Sequence, residues 1–262
     1  RIARIMIEIS HLHKSFGNNV ILNDLNLTIQ EGETKVIIGR SGTGKSVLLK
    51  NIIGILRPDA GSIKINGAEV TTLNEREYNK IRMKMGMVFQ GGALFDSMNV
   101  AENVAFVLDE FMNVDKKVVR AKVERCLGMV GLSGIEEMMP SELSGGMKKR
   151  VSLARVLCME PRIIFYDEPT TGVDPITSDV INNLIVDLRH KLKVTSIVVT
   201  HDMNSAYKVA DNIAMLYHGQ VVAEGTPQEI QSAKHPVVKQ FINGEAKGPI
   251  TENENLIFGY TD

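Results

Sequence analysis

Gly39-Arg40-Ser41-Gly42-Thr43-Gly44-Lys45-Ser46 matches the spacing G-x-x-x-x-G-K-[ST]. Its glycines let the backbone curl until successive N–H groups point inward, and a helix beginning there adds the positive end of its dipole. Such a cradle suits phosphate oxygens. Lys45 has the reach for β- and γ-phosphates, and the Ser46 hydroxyl is a ligand type that Mg²⁺ accepts. The same spacing occurs in ordinary glycine-rich turns, so the flanking residues decide the reading. Val36-Ile37-Ile38 before it is a short apolar run, and Leu48, Leu49, Ile52 and Ile53 after it share one helical face. Strand, glycine loop and helix in that order predict an α/β nucleotide-binding core.

Working outward, Ile5, Ile7 and Ile9 alternate, as do Leu25, Leu27 and Ile29, the pattern of half-buried strands. Ser62-Ile63-Lys64-Ile65 runs into Asn66-Gly67, a hairpin signal, which suggests a small antiparallel layer on one edge. Met85 to Phe89 reads as a further core strand. From Gly91 to Cys158 the periodicity is helical: Val100, Val104, Val107 and Leu108 share a face, as do Val119, Val123, Leu127 and Val130. The α/β rhythm returns with Ile163 to Tyr166, a helix through Ile181, Leu184, Ile185 and Leu188, and the strand Ser196 to Val199. A last hairpin joins Ile213–Tyr217 to Val221–Ala223 through His218-Gly219. Residues 1–243 are expected to form a single domain, with 1–90 and 159–243 as core and β layer and 91–158 as an inserted helical lobe. Residues 244–262 turn polar and are expected to be a tail.

Composition narrows the function. The 262 residues are 44% apolar and 23% charged, with a formal net charge of −1. That balance argues against nucleic acid or anionic lipid as the main partner. Two cysteines, Cys126 and Cys158, cannot build a disulfide framework and read as reduced buried thiols. No apolar run reaches the roughly 18 to 20 residues of a membrane span, and none follows Arg1-Ile2-Ala3-Arg4 in the manner of a secretory leader. Any membrane task is expected to go through a partner.

Ile163-Ile164-Phe165-Tyr166-Asp167-Glu168 is an apolar strand ending in two carboxylates, which it would carry to the sheet edge where α/β folds bind ligands. Asp167 suits a Mg²⁺ site, and Glu168 suits orienting and deprotonating an attacking water. Leu143-Ser144-Gly145-Gly146-Met147 opens an amphipathic helix through Val151, Leu153, Ala154, Val156 and Leu157, a second phosphate-shaped N-terminus. Taken alone, Ser-Gly-Gly also reads as a plain helix cap. If the two phosphate sites lie on separate lobes, each Ser144-Gly145-Gly146 would close over the nucleotide of a second copy. The following Lys148-Lys149-Arg150 reads as a solvated helix face.

With these motifs in this order, residues 5 to 243 resemble the ATP-binding-cassette (ABC) ATPases. The fold this implies is α/β: a P-loop NTPase (RecA-like) core with an antiparallel β layer and an inserted helical lobe. The resemblance implies ATP contacts from Phe16, on whose ring adenine would stack, and from Gly39, Arg40, Ser41, Gly42, Thr43, Gly44, Lys45, Ser46 and Val47. It implies Mg²⁺ held by Ser46, Gln90 and Asp167, and catalysis by Glu168 with Gln90 and His201, the latter bonding the γ-phosphate. Ser144, Gly145, Gly146 and Asp174, in Thr171-Gly172-Val173-Asp174, would meet the ATP of a partner subunit in a head-to-tail homodimer. Hydrolysis would then release the two halves. Met147 departs from the family's usual Gln, and a thioether cannot donate a hydrogen bond to ribose.

Gly91 to Val104, with Gly-Met-Lys-Lys-Arg-Val in the signature helix and Phe241-Ile242-Asn243-Gly244, is similar to the ATPases of Mla-type (maintenance of lipid asymmetry) phospholipid transporters. Such a subunit would lie on the cytoplasmic face of the inner membrane, bound to transmembrane permease subunits. A mammalian-cell-entry-type substrate-binding protein and a STAS-domain regulator are further partners of that group. Leu94, Phe95 and Met98 could line the permease groove or pack within the lobe. Two other readings fit the motifs: an importer subunit for a small polar solute, and a soluble ABC ATPase. The single cassette and the lack of a long heptad run speak against the second of these.

Overall fold

The structure is a computed structural model and describes residues 4–112 and 114–253. β1 (Ile5–Phe16) and β2 (Asn19–Gln30) pair antiparallel, with Ile7 opposite Ile29 and Ile9 opposite Leu27, so both apolar rows face one side. β3 (Thr34–Ile38) leads through the glycine loop into α1 (Lys45–Ile53). β4 (Ala60–Ile65) and β5 (Ala68–Glu69) follow, joined by Asn66-Gly67 with φ 52° and 79°, the left-handed pair that a tight hairpin turn requires. The four strands form the antiparallel layer in the order β2-β1-β4-β5.

The second sheet is the core. β6 (Met85–Val88), β7 (Ile163–Asp167), β8 (Thr195–Thr200) and β9 (Asn212–Tyr217) run parallel with β3, and β10 (Gln220–Gly225) turns back antiparallel on β9. The order is β10-β9-β3-β8-β7-β6. Both faces are covered, so the strands are apolar throughout and successive residues serve different cores. Ile37, Phe165, Ile197 and Val199 pack with α1 and the antiparallel layer. Val36, Ile164, Tyr166 and Val198 pack on the opposite face with α5 (Gly145–Leu157), α6 (Pro175–Leu192) and α7 (Met203–Val209).

None of the described residues from 91 to 158 forms a strand. α3 (Val100–Phe111) starts at a reciprocal cap between Asn99 and Glu102, and α4 (Lys116–Met129) starts at Asp115. Their apolar faces, including Val104, Leu108, Val123 and Leu127, join the same cluster as Val36, Ile38 and Val88 of the sheet. The lobe therefore shares one continuous core with the sheet face. α5 is the seam, and Gly86 of β6 permits it: a Cβ there would lie 2.1 Å from Val156 Cγ1. Cys126 and Cys158 are buried and free.

Periodicity points to no element between Gly67 and Met85, yet α2 (Glu75–Arg82) forms there. Only Tyr78 of it is buried, so its start is specified by the Asn74–Glu77 capping box rather than by an apolar stripe. α8 (Pro227–Gln231) and α9 (Pro236–Asn243) follow the last hairpin. The stretch after Gly244 is not purely a polar tail. Pro249–Asn253 forms a five-residue helix, α10, whose Ile250 is buried while its N–H donates to Gln240 Oε1 at 2.8 Å. One isoleucine anchors it, too little for a periodic signal. The rest of the expected tail, 254–262, lies outside the described residues.

Candidate functional site

The glycine loop leaves β3 at Gly39, whose φ is 152° and where a Cβ would sit 2.5 Å from the Leu216 carbonyl oxygen. The backbone of β9 passes too close for any side chain there. The loop enters α1 at Gly44 with φ 98°, and no side chain caps the helix start or adds an acid to its first turn. Thr43 Oγ1 donates to the Arg40 carbonyl at 2.9 Å and holds the curl. Lys45 is buried, with Nζ 2.7 Å from the Gly39 carbonyl oxygen and 2.8 Å from that of Arg40. Burial pushes its ammonium below the ordinary lysine range, against the pull of Glu168 and Asp167.

The strand order brings β7 two places from β3, across β8. Ser46 Oγ donates to Asp167 Oδ1 at 3.1 Å, joining residues 121 apart in sequence. Burial raises the Asp167 carboxyl above the usual carboxylate range; the Ser46 bond opposes this and the Glu168 charge adds to it. Glu168 follows at φ 50°, an uncommon conformation for a residue with a side chain. Its N–H donates to Val199 O at 2.9 Å, and the Thr171 hydroxyl donates to Oε2 at 3.1 Å. His201, just past β8, lies with Nδ1 3.0 Å from Oε1 and 2.9 Å from Oε2. The surrounding fold over-determines this backbone, as it must where a strained residue persists.

A cleft of about 270 Å³ opens over these groups, lined by Ile21, Ser41, Gly42, Gly44, Lys45, Ser46, Val47, Gln90, Glu168 and His201. Of the residues expected to bind nucleotide, Gly39, Arg40 and Thr43 form the loop beneath it. Phe16 stands at the end of β1 with 48% of its surface exposed, outside the cleft lining, and Lys14 Nζ lies 5.5 Å from its ring centre. Ile21 of β2 lines the cleft without any sequence signal.

Ser144, Gly145, Gly146 and Asp174 are likewise absent from that lining. Ser144 caps α5, its Oγ accepting from Met147 N–H at 3.2 Å, while Asp174 caps α6 by accepting from the N–H groups of Ile176 and Thr177, each at 3.0 Å. The two helix starts touch: a Cβ on Gly146 would lie 2.4 Å from Thr177 Cγ2. The Met147 side chain packs against the lobe's apolar core.

Lys148-Lys149-Arg150 is not a solvated face. Lys149 is buried, and its Nζ donates to the Gln90 carbonyl at 2.9 Å and to the Glu168 carbonyl at 3.4 Å. Arg150 reaches back to the carbonyls of Val130 and Gly131. The charge run hides this because the acceptors are main-chain atoms, invisible to residue-type reasoning. Past Gln90, the Asn103 amide accepts from Phe95 N–H at 2.8 Å and donates to Phe95 O, Met98 O and Asn99 O. Leu94 packs into the lobe, and Phe95 keeps 41% of its surface exposed.

Residues 22–171 match the ABC transporter family. Over 250 residues the chain is 44% identical to the probable ribonucleotide transport ATP-binding protein mkl of Mycobacterium tuberculosis, covering 95% of this chain and 70% of that one. It is 41% identical over 245 residues to the intermembrane phospholipid transport system ATP-binding protein MlaF of Haemophilus influenzae, covering 94% and 93%. The dimeric ATP-binding cassette MJ0796, in a post-hydrolysis state bound to ADP and Pi, superposes with a TM-score of 0.77 at 33% identity, over 85% of this chain and 99% of that one.

Proposed function

Because this chain belongs to the ABC transporter family and is an ATP-hydrolysing cassette of it, we propose that it powers phospholipid transport between membranes. The observation that carries the cargo is the likeness to MlaF, which runs through almost the whole of both chains. The subunit then works from the cytoplasmic face of an inner membrane, held there by a permease. No helix among the described residues is long and apolar enough to cross a membrane. The loop from Gly91 to Met98, pinned by Asn103 and presenting Phe95, is the surface we assign to the permease. A mammalian-cell-entry-type protein and a STAS-domain regulator complete the proposed assembly.

In the proposed reaction, Lys45 exchanges the carbonyls of Gly39 and Arg40 for β- and γ-phosphate oxygens. The uncapped first turn of α1 supplies N–H groups to the same phosphates. Adenine stacks on the exposed ring of Phe16. Ser46, Asp167 and Gln90 would hold Mg²⁺. The donors fit, since a hydroxyl and a carboxylate 3.1 Å apart are both hard oxygen ligands. When bound, the ion neutralises charge on the phosphates. Glu168, held by His201 and Thr171, orients the attacking water and accepts its proton, and His201 turns to the γ-phosphate. Ser144, Gly145 and Gly146 of a second copy close the site, with Asp174 at the contact.

The resemblance to mkl favours a second reading, import of a ribonucleotide-like polar solute. Purified with its permease in lipid nanodiscs, the complex should raise its ATPase rate with transportable phospholipid and not with ribonucleotide. Stimulation by ribonucleotide alone would overturn the lipid assignment. Glu168→Gln should bind ATP and trap a dimer while losing turnover, measured by phosphate release and light scattering. Near-normal turnover would remove Glu168 from the proposed role.

A further inference from the structure

Lys149 is a lysine 8% exposed on the signature helix, and the reaction as described above leaves it without a task. A buried ammonium is costly unless bonded, and an apolar residue would fill the same space without that cost. Here the acceptors are the carbonyls of two residues that both line the nucleotide cleft, Gln90 at 2.9 Å and Glu168 at 3.4 Å. One cation therefore ties three elements together: the strand end after β6, the strained turn after β7, and the second turn of α5. The Glu168 peptide is where the restraint matters most. Its φ of 50° is a conformation that side-chain-bearing residues leave unless held, and the Lys149 bond is made to that same residue's carbonyl. Lys149 is also on the helix whose start, Ser144 to Gly146, faces the partner's nucleotide in the proposed dimer.

We propose that Lys149 is a positioning residue. It sets the backbone of Gln90 and Glu168 from within the subunit, so that movement of the signature helix moves both cleft residues together. It touches no reacting atom. The proposal rests on the roles assigned to Glu168 and Gln90, so the two must be tested apart.

In the full complex, Lys149→Met keeps the length and removes the donors, and Lys149→Arg keeps charge and donors. Misplacing a catalytic group by an ångström lowers rate by up to about 10²-fold. Lys149→Met should therefore lower kcat about 10- to 100-fold, with KM for ATP and the thermal midpoint near wild type. Lys149→Arg should recover most of the rate. Wild-type kcat in Lys149→Met, or an equal loss in both variants, would overturn the proposal. If Lys149→Met fails to fold, Lys149→Gln carries the comparison: normal nucleotide affinity with slowed turnover supports the restraint, and normal turnover overturns it. Glu168→Gln measured alongside separates the two claims. If it retains turnover, the reading of the site has failed, whatever Lys149 does. If it is inactive and Lys149→Met is not, only the positioning role has failed.

Discussion

Two carboxyl groups, Asp167 and Glu69, are shifted in opposite directions by their surroundings. Asp167 is pushed up by burial at the sheet's C-terminal edge, with the Ser46 bond opposing the rise and the Glu168 charge adding to it. Glu69 is held below the usual range: burial alone would raise it, but hydrogen bonds from Ser62, from Thr71 and from the Ile63 N–H outweigh that. A carboxyl with a depressed folded-state pKa contributes stability above its unfolded value and loses it as pH falls through the folded one. Glu69→Gln should therefore lower the denaturation midpoint at pH 7, and the difference from wild type should close in acid below the ordinary glutamate range. Thermal melts from pH 7 down to about pH 3 check this. Among site residues, Lys45, Ser46, Asp167 and Glu168 were legible in the sequence because each motif carries its chemistry in side chains. Lys149 was not, because its acceptors are backbone carbonyls brought close only by the fold.

At the scale of elements, the well-read ones are those with a buried stripe, such as α3 and α6. Among the helices not read from the sequence, α2 and α10 bury a single residue, Tyr78 or Ile250, and are specified by a cap or by docking, whereas α7 and α9 bury several residues but are too short, at seven and eight residues, for a clear period. The loop between Gln90 and α3 has neither strand nor helix period and is organised from outside by Asn103 and by Arg155, whose guanidinium reaches the carbonyls of Ala93 and Gly92. Asn103 is fully buried, and removing its amide takes away the partner of Phe95 N–H and of the Met98 carbonyl, while the carbonyls of Phe95 and Asn99 keep the backbone N–H groups of Met98 and Asn103. Asn103→Ala should cost roughly 1–3 kcal/mol in urea unfolding. It should also weaken pairing with the permease, read by co-purification, if this loop is the docking surface.

For the whole molecule, the cleft of one chain holds the Lys45 to Glu168 cluster and omits Ser144, Gly145 and Gly146. The similarity to a dimeric cassette fits a site finished by a second copy. If Ser144 meets the partner's phosphate as proposed, Ser144→Arg should leave ATP binding by the isolated chain intact while lowering ATPase activity about 10²- to 10³-fold, since the bulk of the arginine side chain would push the hydroxyl and the helix start away from that phosphate. Fluorescent-nucleotide titration and phosphate release separate the two effects. Full activity in the variant would argue against the shared site.

By itself the sequence determined the nucleotide cradle, the α/β rhythm around it and the family. A phosphate loop is local, eight consecutive residues whose glycines and Lys45 do their work within one turn, and strand alternation is a property of near neighbours. Tertiary structure alone decided which distant groups meet. Strand order across β8 sets Ser46 against Asp167 and His201 against Glu168, and close packing at Gly86 seats α5 so that Lys149 reaches two carbonyls. Those contacts join backbone and side chains many residues apart, and no short-range pattern in a chain records them.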